Sequence, residues 1–383
     1  MRLLIVSDTY TPDINGVART LREWATGLVA KGHEVALVTT SHYSGDEQGV
    51  TRHVVTSFPL PGYTSIRVGL ASVKWFQQFI EVQQPEILYV ATETPMGLTA
   101  ILAAKKAGVP VISGFHTNFH TYLKNYYLTG FQSPAEALLA SFHNHTSRTL
   151  VPSACTAELL RSIGVVEVGI VGRGVHTTLF RPDARDAALR ETWGCNDRTP
   201  VAIHVGRLAE EKNLELLEKS FTAFLEVQPQ GRCVVVGDGP SGERMRAAHP
   251  DWIFVGMRSG QDLARHYASG DVFLFPSATE TFGNVVTEAL ASGLVCVAYD
   301  YAAAAQHMIQ GESGLLAPLQ DEAAFLQRTR EAAMRWNDAD LRAKARLASE
   351  ELSWSRIVDL FEGHFLDILQ QTRSSHPEPT SNL

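Results

Sequence analysis

Cysteine is scarce and scattered. The four residues Cys155, Cys195, Cys233 and Cys296 show no Cys-x-x-Cys spacing, so neither a zinc site nor a disulfide framework is expected. Long apolar runs are missing as well: none reaches the length of a membrane-spanning helix. The apolar run at residues 3–6 is short and followed by Asp8, which reads as a first strand and not as a signal peptide. The expectation is a cytoplasmic protein with at most peripheral contact at the inner face of the membrane. An excess of positive charge is also lacking. The net charge is −8, and the first 170 residues carry 12 basic and 12 acidic side chains, so the whole excess falls on the remainder. That distribution argues against nucleic acid as a partner, and a neutral amino-terminal half allows approach to an anionic membrane. No Gly-x-Gly-x-x-Gly follows the first strand, and Gly237-Asp238-Gly239 has no third glycine at the required place, which disfavours a dinucleotide dehydrogenase.

What is present is alternation. Buried strands are expected at residues 3–6, 34–39, 87–90 and 109–113, with helices near 17–30, 95–107 and 134–147. A second series of strands follows at 201–205, 233–236, 253–255, 272–275 and 295–298. Such βαβ alternation predicts α/β domains with parallel sheets, and 383 residues exceed what one core usually organises. The Gly- and charge-rich stretch 172–200 marks the boundary. The expected domains are 1–172 and 173–355, followed by a helix at 356–372 and a Ser/Pro/Thr-rich disordered tail at 373–383.

Two constellations carry chemistry. Glu280 and Glu288 bracket a Phe282-Gly283-Asn284 turn where a strand gives way to a helix. Paired carboxylates accept hydrogen bonds from vicinal diols, Gly283 permits close backbone approach, and the N–H groups of Asn284 and Val285 face anionic oxygen. A nucleotide sugar carries all three groups. Standing alone, a Glu-x7-Glu pair is more often a capped helix with a solvated second Glu. The other constellation is Gly206-Arg207 followed by Lys212, on the loop after an apolar strand. A guanidinium fork and an ammonium suit a diphosphate. Pairing with Glu210, Glu211 or Glu215 is the plainer reading of the same two cations. His204, on the strand itself, is expected to be a satisfied core histidine, and His33 and His120 to be structural. Asp338-Ala339-Asp340 reads as a helix cap and not as a metal site.

Gly206-Arg207 with Lys212, residues 236–240, Pro276-Ser277 with Glu280 and Glu288, and residues 288–293 together resemble the retaining, nucleotide-sugar-dependent glycosyltransferases of family four. Residues 8–17 resemble that family's first strand-to-helix loop. Residues 114–119 resemble its active-site histidine segment, and Gly174-Val175-His176 to Phe180-Arg181-Pro182 its interdomain connection. The similarity is collinear over about 1–316, and is strongest to bacterial transferases acting on membrane lipids, including α-mannosyltransferases and diacylglycerol glycosyltransferases.

The resemblance implies a GT-B fold of two Rossmann-like, doubly wound domains facing a cleft, with the 356–372 helix crossing to the first domain. It implies that Arg207 and Lys212 hold the departing diphosphate and that Gly16 approaches the donor phosphates. Glu288 would hold the ribose. Glu280 with Phe282, Gly283, Asn284 and Val285 would hold the transferred sugar, and His116 would lie beside its 6-position. Same-face attack assisted by the leaving group is the implied route, with no cofactor and no metal. GDP-mannose is the first expected donor, UDP-glucose or UDP-glucuronate the next, and the expected acceptor is a membrane lipid. An aromatic segment (Phe115, Phe119, Tyr122, Tyr126, Tyr127 and Phe131, with Lys124) suits a membrane interface and an ordinary packed helix equally well. A polysaccharide or lipopolysaccharide acceptor, an epimerase and a non-catalytic sugar-binding protein stay open as alternatives. One departure stands out: where many family members carry Gly-Gly, this chain has residues 302–305, all alanine.

Overall fold

The computed structural model describes residues 1–13, 15–40, 49–60, 63–116, 134–280 and 282–375. Two compact units emerge, one of Met1–Gly172 with Trp354–Leu383 and one of Arg173–Ser353. Each is an α/β unit built on a parallel sheet.

In the first unit the elements are β1 (Arg2–Ser7), α1 (Gly16–Ala30), β2 (Glu34–Thr39), β3 (Thr51–Val54), β4 (Ser57–Leu60), β5 (Tyr63–Gly69), α2 (Val73–Gln83), β6 (Ile87–Val90), α3 (Pro95–Ala107), β7 (Val111–Gly114), α4 (Pro134–Asn144), β8 (Arg148–Val151), α5 (Ala154–Ser162) and β9 (Val168–Ile170). The sheet runs β3-β2-β1-β6-β7-β8-β9, all parallel, while β4 and β5 form a separate antiparallel hairpin. Leu3, Leu4, Ile5 and Val6 are all buried because helices cover both faces of a parallel sheet, which is why the run shows no polar alternation. One face packs Leu3, Ile5, Trp24 and Leu28, and the other packs Leu4, Val6, Phe76 and Ile101.

The second unit contains α6 (Ala187–Thr192), β10 (Val201–Val205), α7 (Leu214–Val227), β11 (Arg232–Val236), α8 (Gly242–Ala248), β12 (Ile253–Gly256), α9 (Gly260–Ser269), β13 (Val272–Phe275), α10 (Asn284–Ala291), β14 (Val295–Tyr299), α11 (Ala302–His307), β15 (Leu315–Ala317), α12 (Glu322–Met334) and α13 (Ala339–Glu350). Its strand order is β12-β11-β10-β13-β14-β15, again all parallel. Asp338 caps α13 through Oδ1, which accepts from the N–H groups of Asp340 and Leu341. That accounts for the Asp-Ala-Asp tripeptide without a metal.

The last helix, α14 (Trp354–Ser375), belongs to the first unit. Trp354, Ile357, Val358, Phe361, Phe365 and Ile368 recur at helical spacing and are buried in that unit's core, where Phe361 stacks on Trp24 at 4.0 Å between ring centroids. Lys31 at the end of α1 pairs with Asp359 at 2.6 Å and with Glu362, and His33 pairs with Glu362 at 2.6 Å. The apolar stripe begins at Trp354, so the second unit ends at Ser353 and not at 355. The helix also continues to Ser375, into residues expected as tail: Arg373 reaches Glu86 at 3.4 Å and Ser374 donates to the carbonyl of Gln370. Among the described residues no helix is long and apolar enough to cross a membrane.

Candidate active site

Strand order locates the site in the second unit. The chain builds outward from β10 through β11 to β12, then returns to β13 beside β10 and builds the other way. Loops leaving the carboxyl ends of β10 and β13 therefore diverge, opening a crevice at the switch point where ligands bind in such sheets. Arg207 and Lys212 follow β10; Glu280, Phe282 and Gly283 follow β13. Two contacts tie the loops together, with Thr279 donating to the carbonyl of Glu211 at 2.8 Å and Asn213 to that of Pro276 at 3.4 Å.

Lys212 Nζ lies 2.5 Å from Glu280 Oε1, and both side chains are mostly buried. Ser277 donates to the same oxygen at 2.7 Å, leaving Glu280 Oε2 without a protein partner among the described residues. The expected diphosphate cation and sugar carboxylate are thus brought into one ion pair. Arg207 stands apart: its side chain is 67% exposed and its nearest charge is Glu211 at 3.6 Å, the surface pairing that the sequence also allowed. Gly283 adopts φ 96° as it caps α10, a region costly for any residue with a Cβ. The Asn284 and Val285 N–H groups open this helix. Phe282 is buried, and its carbonyl accepts from Ala303 N at 2.8 Å, anchoring the turn to the start of α11. Glu288, one turn further along α10, is 4% exposed, and Tyr267 of α9 donates to its Oε2 at 3.1 Å.

Two glycines allow the loop after β10 to sit as it does. A Cβ on Gly237, at φ 134°, would strike the carbonyl oxygen of Gly206, and one on Gly239 would come within 2.5 Å of the Leu208 carbonyl. The β11 loop thus cradles the Arg207 loop through backbone alone.

In the first unit the switch point lies between β1 and β6. Asp8 staples it: Oδ1 accepts from Gly69 N at 2.5 Å and Oδ2 from the hydroxyls of Thr92 and Thr94 at 2.6 Å each. Gly16 opens α1, with Asn15 Oδ1 accepting from Val17 N and Ala18 N. His116, just past β7, is buried, with Nε2 2.8 Å from the Tyr89 hydroxyl. A Cβ at Gly114 would collide with that hydroxyl and crowd His116 Nε2 at 2.6 Å, so glycine leaves the room in which the pair meets. Phe115 is buried in its own small core. His120 and the rest of the aromatic segment, with Lys124, lie outside the described residues.

The family model for Glycosyltransferase Family 4 matches residues 14–179, and that for Glycosyl transferases group 1 matches 199–334. A GDP-mannose-dependent alpha-mannosyltransferase of Mycobacterium tuberculosis is 32% identical over 325 residues, covering 83% of this chain and 84% of the relative. The chain belongs to glycosyltransferase family 4. An alpha-monoglucosyldiacylglycerol synthase of Streptococcus pneumoniae is 27% identical to this transferase over 78% of the chain and 71% of the relative. Among solved structures, Anabaena HepE in complex with UDP superposes with a TM-score of 0.74 at 18% identity, over 96% of this chain and all of that one. The expected GT-B class of two parallel-sheet domains is borne out, and so is the expected reaction class, that of a hexosyltransferase.

Sequence reasoning passed over several residues that shape the transferase's site. Tyr267 and Tyr89 orient Glu288 and His116 respectively, yet each is an unremarkable polar residue whose partner lies 21 or 27 residues further along the chain. Asp8, Thr92 and Thr94 meet only through the β1–β6 pairing. His204 corrects an expectation in part. It is fully buried and Nδ1–H donates to the Leu274 carbonyl at 3.0 Å, but Nε2 has no partner among the described residues, and burial pulls its pKa down to about 4. His307, whose ring lies 5.9 Å from Phe282, is likewise pulled down to about 4 by burial. Ala302, where the resemblance leads to an expectation of glycine, adopts φ 52°, a left-handed conformation that is strained for a residue with a Cβ.

Proposed function

We propose that this enzyme transfers mannose from GDP-mannose, with retention of configuration, to a hydroxyl of a membrane-lipid acceptor. The observation that carries the reading is the convergence of Lys212, Glu280, the Gly283 turn and Glu288 at one switch point, where cation, paired carboxylates and helix-start N–H groups match diphosphate, sugar and ribose. The names of its relatives support mannose as the sugar and a lipid as the acceptor.

In this reading the donor exchanges the Lys212–Glu280 pair for two contacts of its own. Lys212 turns to the diphosphate, joined by Arg207, and Glu280 accepts from sugar hydroxyls, with the backbone of Phe282, Gly283, Asn284 and Val285 alongside. Glu288 grips the ribose; Gly16 and His116 keep the parts that the family resemblance implies. As the bond from the anomeric carbon to the diphosphate oxygen breaks, negative charge gathers on the leaving group, where Arg207 and Lys212 stabilise it more than in the ground state. The acceptor oxygen bonds the same face of that carbon, and its proton passes to the departing phosphate oxygen. With leaving-group charge met by these cations and by N–H groups, no metal is required. Contact with the membrane, where the acceptor resides, is peripheral.

A donor panel of GDP-mannose, UDP-glucose, UDP-glucuronate and UDP-galactose against a membrane-lipid extract tests the reading. An α-linked mannolipid formed from GDP-mannose is the expected product. Turnover confined to a uridine donor would overturn the choice of donor, and a β-linked product would overturn retention.

A further inference from the structure

The second unit carries a concentration of arginine that the transfer reaction does not use. Asp271, fully buried immediately before β13, faces three guanidiniums: Arg185 at 3.0 Å and Arg342 at 3.5 Å on Oδ1, and Arg190 at 3.4 Å on Oδ2, which also accepts from Val201 N at 2.9 Å. One carboxylate thus serves three cations in a partly desolvated setting. Arg190 is spent on structure, donating through Nη1 to the Ser269 carbonyl and through Nη2 to those of Asn196 and Thr199. Arg185 and Arg342 are not. Arg185 uses Nη1 alone, toward Asp271 and the carbonyls of Ala268 and Gly270, and Arg342 uses Nε toward the Gly293 carbonyl and Nη1 toward Asp271. Neither Nη2 has an acceptor among the described residues.

These two guanidiniums, drawn together on one oxygen of Asp271, line a cavity of about 460 Å³ with Arg198, Asp197, Trp336 and Asn337. Three guanidiniums therefore face two carboxylates in the wall, one of which is already shared, with Arg190 behind. Burial pulls the Arg342 guanidinium below its ordinary pKa; Asp271 opposes this, and the like charges of Arg185 and Arg190 add to the depression. An anion in the cavity would relieve that crowding, and planar forks with unused Nη2 donors fit tetrahedral oxyanions in two-point fashion.

We propose that this cavity is a second ligand site, one that binds the phosphate group of inorganic phosphate or of a nucleotide. It is distinct from the donor site by position. Asp271 and Val201 stand at the amino ends of β13 and β10, whereas Glu280 and Lys212 follow their carboxyl ends, a separation of about 15 Å at the rise of a strand. Trp336 supplies a flat wall on which a base can lie, and that distinguishes the two sources of phosphate.

The test uses the full chain carrying Arg207→Ala and Lys212→Ala, so that the donor site is weakened, with inorganic phosphate and GMP titrated in a zwitterionic buffer at low salt. Calorimetry and phosphorus relaxation report binding. Saturable phosphate binding in the millimolar range or tighter is expected, weakened about five-fold or more by Arg342→Gln. Arg198→Gln, at an exposed side chain that bonds no other element among the described residues, is the second variant and is expected to weaken binding several-fold even if Arg342→Gln does not fold. GMP binding more tightly than phosphate, with the advantage lost in Trp336→Leu, would identify a nucleotide as the ligand; equal affinities would identify free phosphate. No saturable binding, or binding indifferent to Arg198→Gln and to a folded Arg342→Gln, would overturn the proposal.

Discussion

The division of labour between Glu288 and Glu280 has a sharp thermodynamic signature. Glu288 is nearly fully buried, with one oxygen receiving the Tyr267 hydroxyl, so a glutamine in its place keeps size and keeps an acceptor for Tyr267 while removing the charge and one acceptor. If the lost acceptor serves the ribose, Glu288→Gln should weaken GDP and GDP-mannose by the same factor. Charge-assisted bonds of this kind are worth about 1.5–3 kcal/mol, or roughly 10- to 150-fold in Kd. Glu280→Gln should instead weaken GDP-mannose without weakening GDP, because in our reading Glu280 meets only the sugar of the donor and its loss frees Lys212 for the diphosphate. Calorimetry with both ligands on both variants reads this directly, and 2′-deoxy-GDP closes a cycle. The wild type should discriminate against the missing hydroxyl, and Glu288→Gln should lose most of that discrimination. Equal losses of GDP affinity in the two variants, or undiminished discrimination in Glu288→Gln, would refute the assignment even for an active transferase.

Arg207→Ala should lower turnover by on the order of 10²-fold with an unchanged melting temperature, since the side chain is largely exposed; near-wild-type turnover in the folded variant would remove Arg207 from the site. Excess chelator should leave most activity intact, and a complete loss restored by magnesium or manganese would contradict a leaving group neutralised by Arg207 and Lys212. His204 is neutral in the fold with a pKa near 4 against about 6.5 when unfolded, so the unfolded chain binds the extra proton first as pH falls. The stability this represents, about 3 kcal/mol, is fully present above pH ~6.5 and is lost as pH falls toward ~4. His204→Gln should flatten denaturant midpoints across that window, and an unchanged slope would show that the depression is not there. Ala302→Gly should not lower the melting temperature, because relief of a left-handed alanine offsets the added freedom of the unfolded chain; the usual loss of about 1 kcal/mol for glycine in a helix would show that Ala302 is unstrained.

Much of the architecture is legible in local pattern. The runs at 34–39, 87–90, 201–205 and 272–275 coincide with β2, β6, β10 and β13, since parallel strands buried on both faces need unbroken apolar residues and turn signals bound them. The short edge elements β3, β9 and β15 and the β4–β5 hairpin escaped notice, because three- or four-residue strands at a sheet edge and half-exposed hairpins carry little periodicity. Site residues divide in the same way. Gly283, Glu280 and Glu288 announce themselves because one strand-to-helix loop and the first turns of its helix hold them at fixed spacing, as the loop after β10 does Arg207 and Lys212. That Lys212 should meet Glu280, 68 residues away, depends on β10 and β13 lying side by side, which is a property of strand order and not of either loop. The Tyr267–Glu288 and Tyr89–His116 bonds, and the gathering of Arg185, Arg190 and Arg342 on Asp271, arise likewise from packing between distant segments. Sequence alone determined which groups this enzyme has for the task and on which loops they ride, because backbone preference and hydrophobic period act over a few residues. Only the tertiary structure decided which of those groups stand within hydrogen-bonding distance, because that is fixed by the order in which strands pair and by the burial that holds them there.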